Sequence, residues 1–194
     1  MIAYGPRTAL LVVDVQNDFA DPAGSLSVRG GHEVLPFVNA QIERAVAAGS
    51  PVVYTQDWHP GTTPHFEKDG GIWPVHCVQE TWGAAFHPAL RVNGPVVRKG
   101  SDGRDGYSGF SVRDPHSGDV AATELERILR EREVERVVVC GLATDYCVVE
   151  TVLDALRLGF GATVPLEGVC AVDREPGDGG RALERMRDAG ADLV

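Results

Sequence analysis

Two patterns of hydrophobic and polar positions repeat along this chain. The first consists of short apolar runs that end at a polar residue, which is typical of strands buried inside a sheet. The run Ala9–Val13 is the clearest, since it is wholly apolar and is followed by Asp14. Six segments of this kind predict strands: Ala9–Val13, Pro51–Gln56, Pro95–Lys99, Arg136–Cys140, Gly161–Pro165 and Ala191–Val194.

The second pattern places apolar residues three or four positions apart, which is typical of a helix with one buried face. In the first such segment the apolar face is formed by Val34, Val38, Ile42 and Val46, and Gly49 follows its end. Four segments predict helices in this way: His32–Ala48, Thr123–Arg132, Asp145–Leu158 and Ala182–Ala189.

The alternation of strands and helices predicts a parallel sheet, because parallel neighbours need a crossover connection between them. We therefore expect an α/β fold of Rossmann-like type. The expected architecture is a three-layer sandwich in which helices cover both faces of a six-stranded, mainly parallel sheet. The length of 194 residues favours one domain over residues 1–194. In such folds the functional groups collect beyond the carboxyl ends of the strands.

Composition narrows the function classes. The net charge of −10, from 18 basic and 28 acidic residues, argues against a nucleic-acid partner, which requires clustered Lys and Arg. We find neither a signal peptide nor the ~20 consecutive apolar residues of a membrane helix, so we expect a cytoplasmic protein with no membrane partner. The four cysteines form no CxxC pair and should be free thiols: Cys77, Cys140, Cys147 and Cys170.

Cys147 is the candidate nucleophile. Asp145 is a suitable N-cap for the following helix, which would place the thiol in the first helical turn. There the helix dipole would favour the thiolate and lower the pKa of Cys147. Gly141 and the small residues Ala143 and Thr144 predict a tight turn whose backbone N–H groups could form an oxyanion hole. Position alone leaves a packing role for this cysteine equally open.

Asp14 and Lys99 strengthen the catalytic interpretation, since each ends a predicted strand and should lie at the same rim as Cys147. A thiol that attacks an amide needs a proton acceptor and then a proton donor for ammonia. Asp14 could do both if its surroundings raise its pKa, and Lys99 could hold the thiolate and the carboxylate. Each residue alone would more often be structural, but the three together favour catalysis.

Four potential metal ligands are concentrated between the second and third predicted strands: Asp57, His59, His65 and His76. Three imidazoles and a carboxylate suit Zn²⁺, Fe²⁺ or Mn²⁺. Their spacing matches no zinc-finger rule, and loop histidines are often only solvated. Two nearby aromatic residues, Phe19 and Trp73, could sandwich a planar ring, although each could equally be a packing residue.

These segments resemble the nicotinamidase/pyrazinamidase branch of the isochorismatase-like cysteine hydrolases, from Ala9 to about Val172. The motifs that carry the resemblance are LLVVDVQNDF at Leu10–Phe19, QDWHP at Gln56–Pro60, WPVHCV at Trp73–Val78, RKG at Arg98–Gly100, YSGF at Tyr107–Phe110 and CGLATDYCV at Cys140–Val148.

The resemblance implies hydrolysis of nicotinamide, and of pyrazinamide, to the acid and ammonia through a cysteine thioester, in the service of NAD salvage. It implies one divalent metal ion that binds the pyridine nitrogen, no organic cofactor and a small carboxamide as the molecular partner. A homo-oligomer is left open. The resemblance implies a catalytic triad of Asp14, Lys99 and Cys147 and four metal ligands, Asp57, His59, His65 and His76. It implies an oxyanion hole formed by the backbone N–H groups of Ala143 and Cys147, beside a cis Leu142–Ala143 peptide. It also implies that Phe19, Trp73 and Tyr107 bind the substrate.

Three departures from the family pattern bear on metal preference and substrate breadth. Val75 replaces an expected polar residue, Glu80 replaces an expected glycine, and the stretch 101–106 is unusually charged and rich in glycine.

The alternative functions are those of a carbamoyl-amide hydrolase of the same superfamily, which typically lacks the four metal ligands, and of an isochorismatase, which lacks the cysteine as well. A third is a non-catalytic metal-binding or redox-sensing protein.

Overall fold

A computed structural model describes residues 2–194 and contains one large sheet with a small hairpin beside it. The strands of the large sheet follow apolar segments of the sequence, as predicted. Their bounds are β1 Thr8–Val13, β2 Val52–Asp57, β3 Val96–Lys99, β6 Arg136–Leu142, β7 Gly161–Val164, β8 Val169–Cys170 and β9 Asp192–Leu193. The hairpin pairs β4 Ser111–Arg113 with β5 Val120–Ala122 in antiparallel fashion.

The strand order of the large sheet is β3-β2-β1-β6-β7-β9, and β8 pairs with the end of β6. Each of these neighbouring pairs is parallel. The chain builds outward from β1 in one direction and from β6 in the other, so the strand order reverses between them. A crevice opens at the carboxyl end of such a pair and commonly holds the ligand of an open α/β sheet. Asp14 follows β1 there, and the turn leading to Cys147 follows β6.

Helices cover both faces of the sheet, and their bounds are α1 Asn17–Ala20, α2 Leu35–Ala47, α3 Leu125–Arg130, α4 Val149–Arg157 and α5 Asp178–Asp188. Side chains of β1 point alternately to the two faces. Leu10 packs in the apolar cluster that includes α2, and Leu11 in the cluster that includes α3, α4 and α5. The predicted three-layer α/β architecture is therefore confirmed, with β8 as an additional strand.

The structure corrects the ends of several predicted helices. A 3-10 turn at Gly31–Val34 precedes α2, and Pro36 then occupies its first turn, where a missing N–H costs nothing. Val46 does not share the buried face: it is 46% exposed, and Ala45 is buried instead. The helix predicted from Ala182 begins at Asp178.

The segment predicted as one helix over Asp145–Leu158 is two elements. It opens as a π-helix at Thr144–Val148 and continues as α4. The sequence pattern does not predict the helix α1, the two strands of the hairpin or β8, because each of these elements has only two to four residues, too few for a periodic pattern. Among residues 2–194, no helix combines the length and the apolar character needed to cross a membrane.

Candidate active site

The amine of Lys99 lies at the centre of the candidate active site. Lys99 ends β3, is 1% exposed and therefore keeps its ammonium group inside the protein. Its Nζ lies 2.9 Å from Asp14 Oδ2, in ion-pair contact without the alignment of a hydrogen bond, and donates a hydrogen bond to Asp57 Oδ1. Burial alone would lower the pKa of Lys99, but the carboxylates of Asp14 and Asp57 raise it well above its usual value. The lysine is charged, and it joins the predicted catalytic acid to a predicted metal ligand.

The structure brings the three predicted catalytic residues together. Lys99 Nζ donates to Cys147 Sγ at 3.5 Å, and atoms of Asp14, Asp57 and Cys147 lie within 4.8 Å of one another. Thr55 at the same rim donates a 2.7 Å hydrogen bond to Asp14 Oδ1. Burial raises the pKa of Asp14, and the Lys99 charge opposes the rise only in part. A carboxyl whose pKa is raised holds a proton more readily, which suits a group that takes and returns one.

The expected lowering of the Cys147 pKa is wrong. Burial raises the pKa of this thiol well above its usual value, and Asp14 and Asp57 raise it further against the opposing charge of Lys99. The proposed N-cap is also wrong, because the carboxylate of Asp145 accepts hydrogen bonds from the Val172 and Asp173 amides instead. The thiol is therefore protonated at rest, and a neighbouring base must remove its proton before it can attack.

A tight turn carries the chain from β6 to Cys147. Gly141 has φ 123°, a conformation that residues with a side chain rarely adopt, and the Leu142–Ala143 peptide is cis, as the resemblance implied. The π-helix then presents Cys147 to the same cavity as Ala143. The two residues named for the oxyanion hole are thus neighbours at the cavity wall.

The three predicted histidine ligands form a second, buried cluster beside Lys99. One ring nitrogen from each of His59, His65 and His76 lies within 4.8 Å of the others. Asp57 Oδ2 is 3.7 Å from His59 Nε2 and 4.0 Å from His76 Nε2. The carboxylate of Asp57 thus serves both clusters, since its other oxygen accepts from Lys99.

The donors of this cluster fit a divalent metal ion. Both ring nitrogens of His59 are buried without a hydrogen-bond partner among the described residues, an arrangement that costs free energy unless a ligand satisfies one of them. Burial lowers the pKa of His76 to about 4, which leaves a neutral imidazole able to donate its lone pair at neutral pH. The charge of Lys99 overcomes burial and holds the pKa of Asp57 below its usual range, so this group is a carboxylate. Three imidazoles and one carboxylate suit Zn²⁺, Fe²⁺ or Mn²⁺.

A small cavity opens above both clusters. Trp73 donates from Nε1 to the Tyr107 hydroxyl at 2.9 Å, which fixes one aromatic wall. The described lining residues are Phe19, Leu26, Asp57, His65, Trp73, His76, Tyr107, Ala143, Tyr146, Cys147 and Val172. All three predicted substrate-binding residues are among them.

Sequence reasoning missed several members of the site. Tyr146 lines the cavity and packs edge-on against Trp73 with ring centres 4.8 Å apart; its place next to Cys147 was the available signal. The carboxylate of Asp105 lies 2.9 Å from His65 Nδ1, inside the charged stretch noted above. Of the other departures, Glu80 has φ 63°, which explains why glycine was expected there, and Val75 is 40% exposed.

Comparison with known proteins agrees with this geometry. The model of the Isochorismatase domain matches residues 8–194. The nicotinamidase of Escherichia coli (strain K12) is 37% identical over 97% of this chain and 94% of its own length.

Two solved structures share the fold closely. The pyrazinamidase of Pyrococcus horikoshii, solved in complex with zinc, is 40% identical with a TM-score of 0.86, over 97% of this chain and 99% of that one. A protein of L. infantum, solved in complex with nicotinate, is 34% identical with a TM-score of 0.88, over 100% of this chain and 95% of that one. The match of the domain model over nearly the whole chain, together with these relatives, shows that this protein belongs to the isochorismatase family.

Proposed function

We propose that this protein is a metal-dependent nicotinamidase, which hydrolyses nicotinamide, and pyrazinamide as well, to the carboxylic acid and ammonia. The observation that carries the proposal is the position of one buried amine, Lys99 Nζ, in contact with both Asp14 and Cys147 below an aromatic cavity. The identity to a nicotinamidase and to a pyrazinamidase supports the choice of substrate.

The first half of the reaction forms the thioester. Asp14 takes the proton of the Cys147 thiol, which is protonated at rest because of its burial. The sulfur attacks the amide carbon, and negative charge develops on the carbonyl oxygen. The N–H groups of Ala143 and Cys147, two residues that line the cavity, would receive that charge. As the C–N bond breaks, Asp14 returns its proton to the leaving nitrogen, and ammonia departs.

The second half releases the acid. A water molecule adds to the thioester carbon while Asp14 accepts one of its protons. The C–S bond then breaks, the acid leaves, and Asp14 returns the proton to the sulfur. Lys99 stays charged throughout and stabilises whichever neighbour is anionic, since it contacts both Asp14 and Cys147. One carboxyl thus serves in turn as base, acid, base and acid.

The aromatic walls position the substrate. Phe19 and Trp73 both face the cavity, and a pyridine or pyrazine ring would lie between them with its carboxamide towards Cys147. A divalent metal ion held by Asp57, His59, His65 and His76 would supply a Lewis-acidic position for the ring nitrogen. Because Asp57 and Lys99 are in contact, the metal site and the catalytic residues form one connected unit.

Removal of the thiol tests covalent catalysis. Cys147→Ala should abolish ammonia release from nicotinamide while the circular dichroism spectrum and the urea midpoint stay close to wild type. Cys140→Ala is the matched control, because Cys140 is also fully buried but packs in the apolar cluster that includes α2. Full activity of Cys147→Ala would rule out the thioester route.

Metal removal and a substrate panel test the rest of the proposal. Chelation, or His59→Ala, should remove bound metal and activity together, and unchanged turnover of stripped enzyme would contradict a required metal. Wild-type enzyme should release ammonia from nicotinamide and pyrazinamide far faster than from carbamoylsarcosine or biuret. A preference for the last two would identify a carbamoyl-amide hydrolase. No turnover, with ready oxidation of Cys147, would identify a redox protein.

The remaining expectations from the sequence stay predictions. We expect the chain to form one domain over residues 1–194, to act in the cytoplasm in NAD salvage, and to need no organic cofactor. We expect a small carboxamide to be its partner, with no nucleic acid or membrane bound. Elemental analysis of the purified protein would identify the metal as zinc, iron or manganese, and light scattering would determine whether it forms a homo-oligomer.

A further inference from the structure

The imidazoles of the metal cluster differ in what holds their second nitrogen. The Nδ1 atom of His76 lies 2.7 Å from the carbonyl oxygen of Pro74. The Nδ1 atom of His65 instead lies 2.9 Å from Oδ1 of Asp105, a carboxylate. In both rings the occupied Nδ1 leaves Nε2 as the nitrogen free for a metal. His65 is the ring whose orientation depends on an acidic side chain.

The backbone around Asp105 is built to hold its carboxylate at that point. Asp105 and Arg113 exchange two backbone hydrogen bonds, of 2.7 Å and 2.5 Å, which attach the loop after Lys99 to strand β4. The atom Oδ1 of Asp105 is buried, and no other described group donates to it. Its contact with His65 is short but lies off the ideal hydrogen-bond direction. A buried carboxylate oxygen with a single neighbour is stabilised only if that neighbour carries a proton on the facing nitrogen.

The ring of His65 is also in contact with the other rings of the cluster. It stacks on His59 with centroids 4.8 Å apart and an angle of 23° between the planes. A rotation of His65 would therefore disturb the position of His59. Asp105 contacts the Nδ1 edge of the His65 ring in this stack.

We propose that Asp105 is a positioning residue of the metal site. Its carboxylate accepts the proton of His65 Nδ1, which fixes the tautomer that presents the Nε2 lone pair, and its charge makes that nitrogen a stronger donor to a cation. Loss of such a carboxylate partner typically costs about 10-fold to 100-fold in metal affinity. The inference rests on the metal site described under the proposed function and assigns a role to the charged stretch 101–106.

The same loop supplies a matched control. Asp102 lies three residues earlier and is also ionised. Its carboxylate accepts hydrogen bonds from the backbone N–H and from the basic side chain of Arg104. It has no contact with a proposed metal ligand among the described residues. Replacement of Asp102 changes the loop charge by the same amount as replacement of Asp105 but leaves His65 untouched.

The experiment is an isothermal calorimetric titration in which Zn²⁺ is added to chelator-stripped full-length protein. Asp105→Ala should weaken zinc binding by about 10-fold to 100-fold. Asp105→Asn, which keeps a neutral acceptor, should fall between Asp105→Ala and wild type, and Asp102→Asn should match wild type. In a His65→Gln background, Asp105→Ala should have no further effect, because the partner of the carboxylate is gone.

The outcomes separate this inference from the proposed function. Wild-type zinc affinity in Asp105→Ala overturns the role of Asp105 even if nicotinamide is hydrolysed. Equal weakening in Asp102→Asn also overturns it, since the effect would then come from loop charge. A third outcome is that Asp105→Ala binds zinc weakly, Asp102→Asn binds it normally, and the wild-type protein hydrolyses no carboxamide. That outcome supports the role of Asp105 and refutes the proposed function. If Asp105→Ala does not fold, Asp105→Asn with the His65→Gln background supplies the comparison.

Discussion

The hydroxyl of Thr55 donates a 2.7 Å hydrogen bond to Oδ1 of Asp14, and neither residue is accessible to solvent. This bond occupies one carboxylate oxygen and leaves Oδ2 on the side of Lys99. The orientation of the proposed general base therefore depends on a residue of the neighbouring strand β2. The relationship predicts a role for Thr55 in the rate of the chemical step.

Replacement of Thr55 by valine should lower kcat for nicotinamide by roughly 10-fold to 100-fold, because a misplaced catalytic group costs about that much. It should also cost about 1–3 kcal/mol of stability, since Asp14 Oδ1 would lose its donor inside the protein. Ammonia release at saturating substrate measures the first effect, and urea unfolding the second. Thr55→Ser keeps the hydroxyl and should retain most activity. Wild-type kcat in Thr55→Val would show that the hydrogen bond does not orient the base.

Replacement of Lys99 by methionine should destabilise the metal-free protein by about 3–5 kcal/mol. It removes the buried cation that faces both Asp14 and Asp57, and uncompensated buried charges have costs of this size. Urea unfolding would measure the loss. Lys68→Met is the matched control, because Lys68 is half-exposed and its pairing with Asp69 should contribute less than about 1 kcal/mol. Equal stabilities of the two variants would contradict the account of Lys99 as the centre of the site.

The sequence predicted the site because its key residues end apolar runs. Asp14 directly follows β1 and Lys99 is the last residue of β3, and parallel strands bring their carboxyl ends to one rim. The strand order explains more than the sequence pattern could. It places Asp14 and the turn before Cys147 at the point where the order reverses. That arrangement depends on which strands pair, and pairing does not follow from local periodicity.

The missed features depend on tertiary contacts. The raised pKa of Cys147 comes from burial and from two carboxylates distant in sequence, whereas the helix-start argument considered the local backbone alone. Asp145 is a good N-cap by residue type, but the loop at Val172 offers its carboxylate two amides. The contact of Asp105 with His65 depends on the path of an irregular loop, which residue patterns do not determine.

Metal-free protein should lose stability as the pH falls from 6.5 towards 4, in part because of His76. Burial lowers the pKa of this imidazole from 6.5 to about 4 in the folded chain. In that window the unfolded chain takes up a proton that the folded chain does not, so unfolding is favoured as the pH falls. The full effect is on the order of 3 kcal/mol and is absent above pH 6.5.

Urea midpoints at pH 7.5 and 4.5 would test this dependence on chelator-stripped protein. His76→Gln should lose less stability between the two pH values than wild type, because it has no imidazole to protonate. His32→Gln is the control, since His32 is exposed, and its pH dependence should equal that of wild type. An identical loss in all three proteins would show that His76 does not contribute to the pH dependence.

Replacement of Gly141 by alanine should damage both stability and catalysis. Gly141 pairs with Val13 across β1 and β6, and a Cβ at its φ of 123° would lie 2.1 Å from the Val13 carbonyl oxygen. Strain at such a backbone conformation costs about 1–3 kcal/mol, and the steric overlap adds a similar amount. Relief of the clash would move β6 away from β1 and separate Cys147 from Asp14.

Gly180→Ala is the control, because Gly180 lies in α5 with open space around it, and this variant should be more stable by about 0.5–1 kcal/mol. Urea midpoints and kcat measured on both variants check the prediction, which a Gly141→Ala protein with wild-type stability and turnover would refute.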